Sequence, residues 1–207
     1  MIKVVWGAGA RLAAALSLVA FTLASASCGQ LTRQGTASSY LIVSALEASS
    51  GADPGGFGGT LDSDVITIVE EVPTIFSDLG RVTFTLGMKD PGGAGSPTAP
   101  TQANWITVER YHVAYVRADG RNTQGVDVPY AFDGAATATV AGGDTTIGFT
   151  IVRHQAKEEA PLAALGNGAV LISTIAEVTF YGHDQTGREV SASGKIGISF
   201  GNYGDPK

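Results

Sequence analysis

The chain has 207 residues and one cysteine, Cys28, so it closes no internal disulfide and carries no C-x-x-C pair for metal or redox chemistry. Basic residues are scarce: 13 Lys and Arg stand against 19 Asp and Glu, and no basic stripe runs along any segment. That deficit argues against a nucleic-acid partner and against charge-driven binding to anionic lipid head groups. Long apolar runs are missing too. The best stretch, "LAAALSLVAFTLA" from Leu12 to Ala24, falls short of the ~20 residues a membrane-spanning helix needs. Extending it backwards would bury Arg11, at a cost of several kcal/mol. Stability must therefore come from packing.

That short run sits in an informative context. The first residues carry Lys3 and Arg11 and no acid, and small residues follow the run down to Cys28. A basic start, an apolar centre and a small-residue exit read as a secretory signal over residues 1–27. "LASASC" resembles the lipobox of bacterial lipoprotein signals, with Ala26 and Ser27 before the cysteine and Ser25 in place of the usual leucine. The resemblance implies lipidation at Cys28 and attachment to a membrane through that lipid. Gly29, rather than aspartate, resembles the outer-membrane sorting pattern. Ala24-Ser25-Ala26 also reads as an ordinary A-x-A cleavage site, which would leave a secreted or periplasmic protein. Removing residues 1–27 also removes two positive charges and no negative ones, so the net charge moves from −6 to −8. The remaining 180 residues suffice for one domain with a sizeable core.

Period-2 alternation dominates that domain. "RVTFTLGM" places Val82, Phe84, Leu86 and Met88 on one face; "EVSASGKIGISF" places Val190, Ala192, Ile196, Ile198 and Phe200 on one face; "TTIGFTIVRH" places Ile147, Phe149 and Ile151 together. Further strands are expected at 40–47, 65–72, 105–117, 135–141 and 170–182. One run breaks phase: Ile106 and Val108 share a face, whereas Tyr111, Val113 and Tyr115 share the other. A bulge near Glu109-Arg110 reconciles the halves, as would a strand crossing between sheets. "HDQTGRE" and "AGGD" are tight turns. About eight short strands predict an all-β antiparallel sandwich over residues 39–203, with residues 28–38 as a tether. In "QAKEEAPLAALG", 155–166, Pro161 limits a helix to a turn or two. "YHVAYVRADG" and the closing "AEVTFYGHDQTGREVSASGKIGISF" resemble an immunoglobulin or fibronectin type III-like domain, without the Cys…Trp…Cys signature. The whole chain resembles bacterial lipoproteins of uncharacterised function, a likeness that implies no activity. A small lipocalin-like barrel is the alternative architecture.

Chemistry has few places to sit. Three long loops stand out, at 49–64, 89–104 and 118–129; if strands alternate direction, the first two share one end. "GGFGG" at 55–59 lacks phosphate-loop spacing and opens no helix. Asp119, Asn122 and Asp127 do not meet the spacing of a calcium loop. His112, His154 and His183 lie on separate segments without an H-x-x-x-H pair; His112 is expected on a sheet face and His183 in a turn. Glu158 and Glu159 are adjacent and read as a solvated turn. No catalytic residue, metal site or cofactor is assigned. The reading is a non-catalytic envelope protein, binding a protein or glycan or supporting an assembly; a carrier of a small apolar ligand and a hydrolase are the alternatives. The contact surface expected is the loop Ala118–Tyr130, through Arg121, Asn122, Asp127 and Tyr130, because Arg and Tyr most often carry interface energy. Mass spectrometry of the mature amino terminus should find an acylated Cys28, and Cys28→Ala should release the protein from the membrane; an unmodified chain beginning at Ser27 refutes the lipid anchor.

Overall fold

A computed structural model describes residues 35–168 and 170–204; the expected signal over residues 1–27 and the expected lipidation site Cys28 lie outside the described residues. Eight strands form two sheets. The first holds β1 (Ser39–Ser49), β5 (Asp78–Met88) and β10 (Thr145–Val152) in the order β1-β5-β10. The second holds β2 (Thr60–Asp64), β8 (Ile106–Val116), β9 (Phe132–Val140), β11 (Ile172–Asp184) and β12 (Glu189–Gly201), in the order β2-β12-β11-β8-β9. Two small hairpins, β3 (Thr67–Val69) with β4 (Val72–Thr74) and β6 (Gly92–Gly93) with β7 (Ser96–Pro97), stand apart. The class is all-β, and among the described residues no strand pairing joins the sheets into a closed barrel.

Alternation dictates this arrangement. On β5, Val82, Phe84 and Leu86 are buried; on β11, Ala176, Val178 and Phe180; on β12, Ile196, Ile198 and Phe200. Between the layers, Phe180 meets Phe84 edge-on at 4.9 Å between ring centroids and Phe149 at 5.4 Å; Tyr111 meets Phe149 at 5.0 Å. Such pairs add roughly 0.5–1.5 kcal/mol beyond their buried area. Gly80 has to be glycine here: a Cβ would lie 2.4 Å from the Phe149 ring. Of the residues placed on the apolar faces by alternation, Met88, Ile147, Val190 and Ala192 are only half-buried; all four lie near strand ends or the β12 edge, packed against the rim of the core.

The phase break is a bulge. Gly182 pairs with Val108 and Tyr181 with Arg110, so Glu109 is the extra residue on β8. Five expectations need correction. The run 65–72 is not one strand but a short hairpin: β3 and β4 turn back on each other through Glu70 and Glu71, both at positive φ. β2 was hidden inside a long loop because "TLDSD" is polar, yet Ser63 and Asp64 are buried and hydrogen-bonded. It joins β12 in parallel, so the second sheet is mixed rather than purely antiparallel. With β2 returning before β5 starts, the 49–59 and 89–104 loops sit at opposite ends. Finally, the last tether residues are docked: Ala37 is buried and Ser38 accepts a hydrogen bond from Asn104.

One end of the sandwich is closed by a helix turn, α1 (His154–Glu158), and a 3-10 turn (Leu162–Asn167) on either side of Pro161. Here Lys157 Nζ lies 2.8 Å from Asp78 Oδ1, with side chains 1% and 0% exposed, and donates to the Asp64 carbonyl at 2.7 Å. Asp78 also accepts from Ser63 Oγ at 2.6 Å and Gly51 N–H at 3.0 Å. Burial pushes its pKa up, and Lys157 opposes that rise. Lys157→Met should cost about 3–5 kcal/mol in urea unfolding, since it strands a buried carboxylate. Asp78→Asn added to that variant should recover part of the loss; no recovery would show that the charge is not the cause.

Candidate functional site

Two surfaces gather polar chemistry, at opposite ends of the molecule. The first follows from the bulge. Glu109 and Arg110 are both exposed, although consecutive strand residues ordinarily alternate. Glu109 Oε1 lies 3.0 Å from His183 Nε2, and the Arg110 guanidinium stacks over the Tyr181 ring at 3.9 Å. On the next strand Asp133 lies 3.1 Å from His112 Nδ1 and 3.7 Å from Arg110. Sequence reasoning did not assemble this cluster; its only signal was the phase break. His183 belongs to β11 rather than to a turn, because the turn proper is Asp184–Arg188, with Asp184 N–H bonded to Arg188 C=O and Gly187 at positive φ.

A groove of about 820 Å³ borders this cluster, lined by Gly35, Tyr40, Lys89, Glu109, Tyr181, His183 and Glu189 among others. It lies at the end where the described chain enters. His183 Nδ1 lies 2.9 Å from the Asp184 carbonyl; that contact, and then Glu109, raises the histidine's pKa above its ordinary value, against partial desolvation. The pair is exposed, so water screens it.

The second surface is the loop between β8 and β9, at the α1 end. Its shape is fixed from within. Asp119 holds two guanidiniums, Arg117 at 2.7 Å and Arg121 at 2.8 Å, and they keep its carboxyl far below the usual range. Asn122 Oδ1 accepts the Arg117 N–H at 2.6 Å, and Asp127 Oδ2 accepts the Thr123 N–H at 3.2 Å. Val128 is fully buried. The Tyr130 ring lies against Gly125, whose φ is +75° and where a Cβ would come within 2.3 Å of the phenol oxygen. Of the four residues singled out from sequence, Asn122 and Asp127 therefore scaffold the loop, while Arg121 and Tyr130 face solvent. Val126, 66% exposed, joins them and carries no sequence signal beyond its place in the loop.

The other candidates stay apart. Asp119, Asn122 and Asp127 spend their oxygens within the loop, and among the described residues no group of three His, Cys, Asp or Glu could hold a metal ion. His154 is distant from both exposed histidines, its N–H bonded to Ser77 Oγ. In the glycine cluster Gly58 pairs with Ala48, and the Phe57 ring carries the Arg81 guanidinium at 4.2 Å. Glu158 and Glu159 are solvated, as expected. Among the described residues no helix is long and apolar enough to cross a membrane. No protein-family model matches the chain, and no curated protein does.

The His183 pair gives a signed pH dependence. A histidine whose folded pKa lies above its unfolded value of about 6.5 stabilises the fold fully below that pH, and loses the contribution as pH rises through the folded value. In an NMR titration Glu109→Gln should lower the His183 midpoint. An unchanged midpoint would leave the Asp184 carbonyl as the whole cause.

Proposed function

We propose that this chain is a non-catalytic protein of the bacterial cell envelope, lipid-anchored at Cys28 and sorted to the outer membrane where the host has one. Its immunoglobulin-like β-sandwich acts as a binding or structural module, engaging a protein or glycan partner through the loop Ala118–Tyr130. The observation that carries the reading is the opposition of the two ends. The described chain enters beside Lys89, where the Nζ of that lysine meets the Gly35 carbonyl. The loop sits at the far end of the strands. β1 has 11 residues, which at about 3.3 Å each separates those ends by roughly 36 Å. A tether at one end leaves the other free to meet a partner.

The interior supports a surface binder over a carrier, since interlocked rings of Phe84, Tyr111, Phe149 and Phe180 fill the space between the sheets. The exposed histidines support it over a hydrolase, since each lies on an open sheet face where solvent competes. The loop's internal hydrogen bonds lower the ordering cost of binding, so Arg121, Val126 and Tyr130 present a surface of fixed shape. Affinity capture from native envelopes, with the chain as bait, supplies the test. Arg121→Ala with Tyr130→Ala should weaken capture on the order of tenfold or more while thermal unfolding barely moves. Undiminished capture by the folded double variant rejects this loop as the contact surface.

A further inference from the structure

β12 is paired along both sides only at its end. Among the described residues β2 covers Gly197–Gly201, and the stretch from Glu189 to Ile196 has β11 on one side and no strand on the other. β1 of the facing sheet crosses behind this stretch at Gly194, where a Cβ would lie 2.9 Å from the Leu46 side chain. It makes no strand pairing with the β12 edge.

The direction of the unpaired backbone groups follows from the turn. Asp184 N–H bonds to Arg188 C=O, and the β11–β12 register runs without a shift from His183↔Glu189 onward. Arg188 and every second residue after it therefore address β11. Glu189, Ser191, Ser193 and Lys195 turn their N–H and C=O groups to the open edge, and all four are exposed. Unprotected edges of this kind template pairing with another chain.

We infer that this edge pairs with the same edge of a second copy of the chain, antiparallel about a two-fold axis through Ala192. The residues themselves choose the occupant. Antiparallel pairing on that axis sets Glu189 opposite Lys195 of the other copy, twice over, and Ser191 opposite Ser193. Lys195 then lies between two carboxylates, since its Nζ already reaches Glu177 Oε1 on β11. Inward positions match as well, Val190 meeting Gly194 and Ala192 meeting itself. Parallel pairing would oppose like charges, and a one-residue slip would set outward side chains against inward ones. A lone lysine would blunt this edge; an acid six residues before it makes the edge self-complementary. The interface is isologous, as a closed dimer requires. It lies at the entry end, away from the Ala118–Tyr130 loop, and does not rest on the function proposed above.

Sedimentation of the full chain in mild detergent, with disulfide trapping, supplies the test. The chain should sediment as a dimer. Lys195→Glu should raise the dissociation constant on the order of tenfold, and adding Glu189→Lys to it should restore the dimer. In a Cys28→Ala background, Ala192→Cys should give a covalent dimer on mild oxidation, because directly opposed residues on the axis bring their Cβ atoms close. Ser173→Cys on β11 should not. A chain that stays monomeric up to millimolar concentration overturns the inference, as does a double reversal that fails to restore the dimer. A cross-link through Ser173→Cys but not Ala192→Cys overturns it as well.

Discussion

The buried contact between Lys157 and Asp78 organises one end of this molecule. Taking two charges out of water costs several kcal/mol each, and their attraction offsets that cost only with good geometry and further hydrogen bonds. Both conditions are met. Asp78 begins β5, Lys157 sits in α1, and their shared partners come from the loop after β1 and the end of β2. Asp64, whose carbonyl receives the lysine, uses its carboxylate to hold Thr67 at 2.8 Å and the Tyr203 N–H at 3.0 Å. Segments far apart in sequence are thus registered by one set of charges. β2 can follow the end of β12 although Asp62, Ser63 and Asp64 are poor strand formers.

The other constraint is the pair of sheets closing on aromatic rings. Phe180 and Tyr111 from one sheet and Phe84 and Phe149 from the other interlock edge to face. The Tyr111 hydroxyl accepts the Thr150 N–H at 3.3 Å, so its polar tip is tied to β10. To keep Tyr111 pointing inward on the same strand as Val108, the chain must absorb one extra residue. The bulge at Glu109 does this, and it is also why Glu109 and Arg110 emerge together beside His183 and Tyr181. The polar groups on that face are a by-product of core packing.

What could be read from the sequence follows from how local each signal was. Alternation in Val82–Leu86, Val178–Phe180 and Ile196–Phe200 is a property of neighbours, and it marked the strands and their buried faces. The Glu109 bulge was legible because aromatic and β-branched residues changed phase within ten positions. β2 was not legible, because its polar residues look like loop, and burial of Ser63 and Asp64 depends on Asp78, 15 residues on, and on the Tyr203 N–H, 139 residues on. Lys157, inside the helical candidate at 155–166, carries no local sign of burial, since its partner Asp78 lies 79 residues away. The loop at 118–130 was found by composition, yet which residues face outward depended on Asp119 gripping both arginines, which no spacing rule encodes.

Strand polarity has a practical side. The described chain enters at Gly35 beside the groove and ends at Gly204, next to Tyr203, whose N–H is held by Asp64 at the α1 end. A reporter or affinity handle joined directly behind Gly204 would therefore leave from the same end as the Arg121 and Tyr130 surface and crowd it. Surface immobilisation through such a handle would present the wrong pole of the molecule to solution. Attachment upstream of Gly35 keeps the far pole open, so the side chosen for fusion decides which half of this protein an interaction experiment can see.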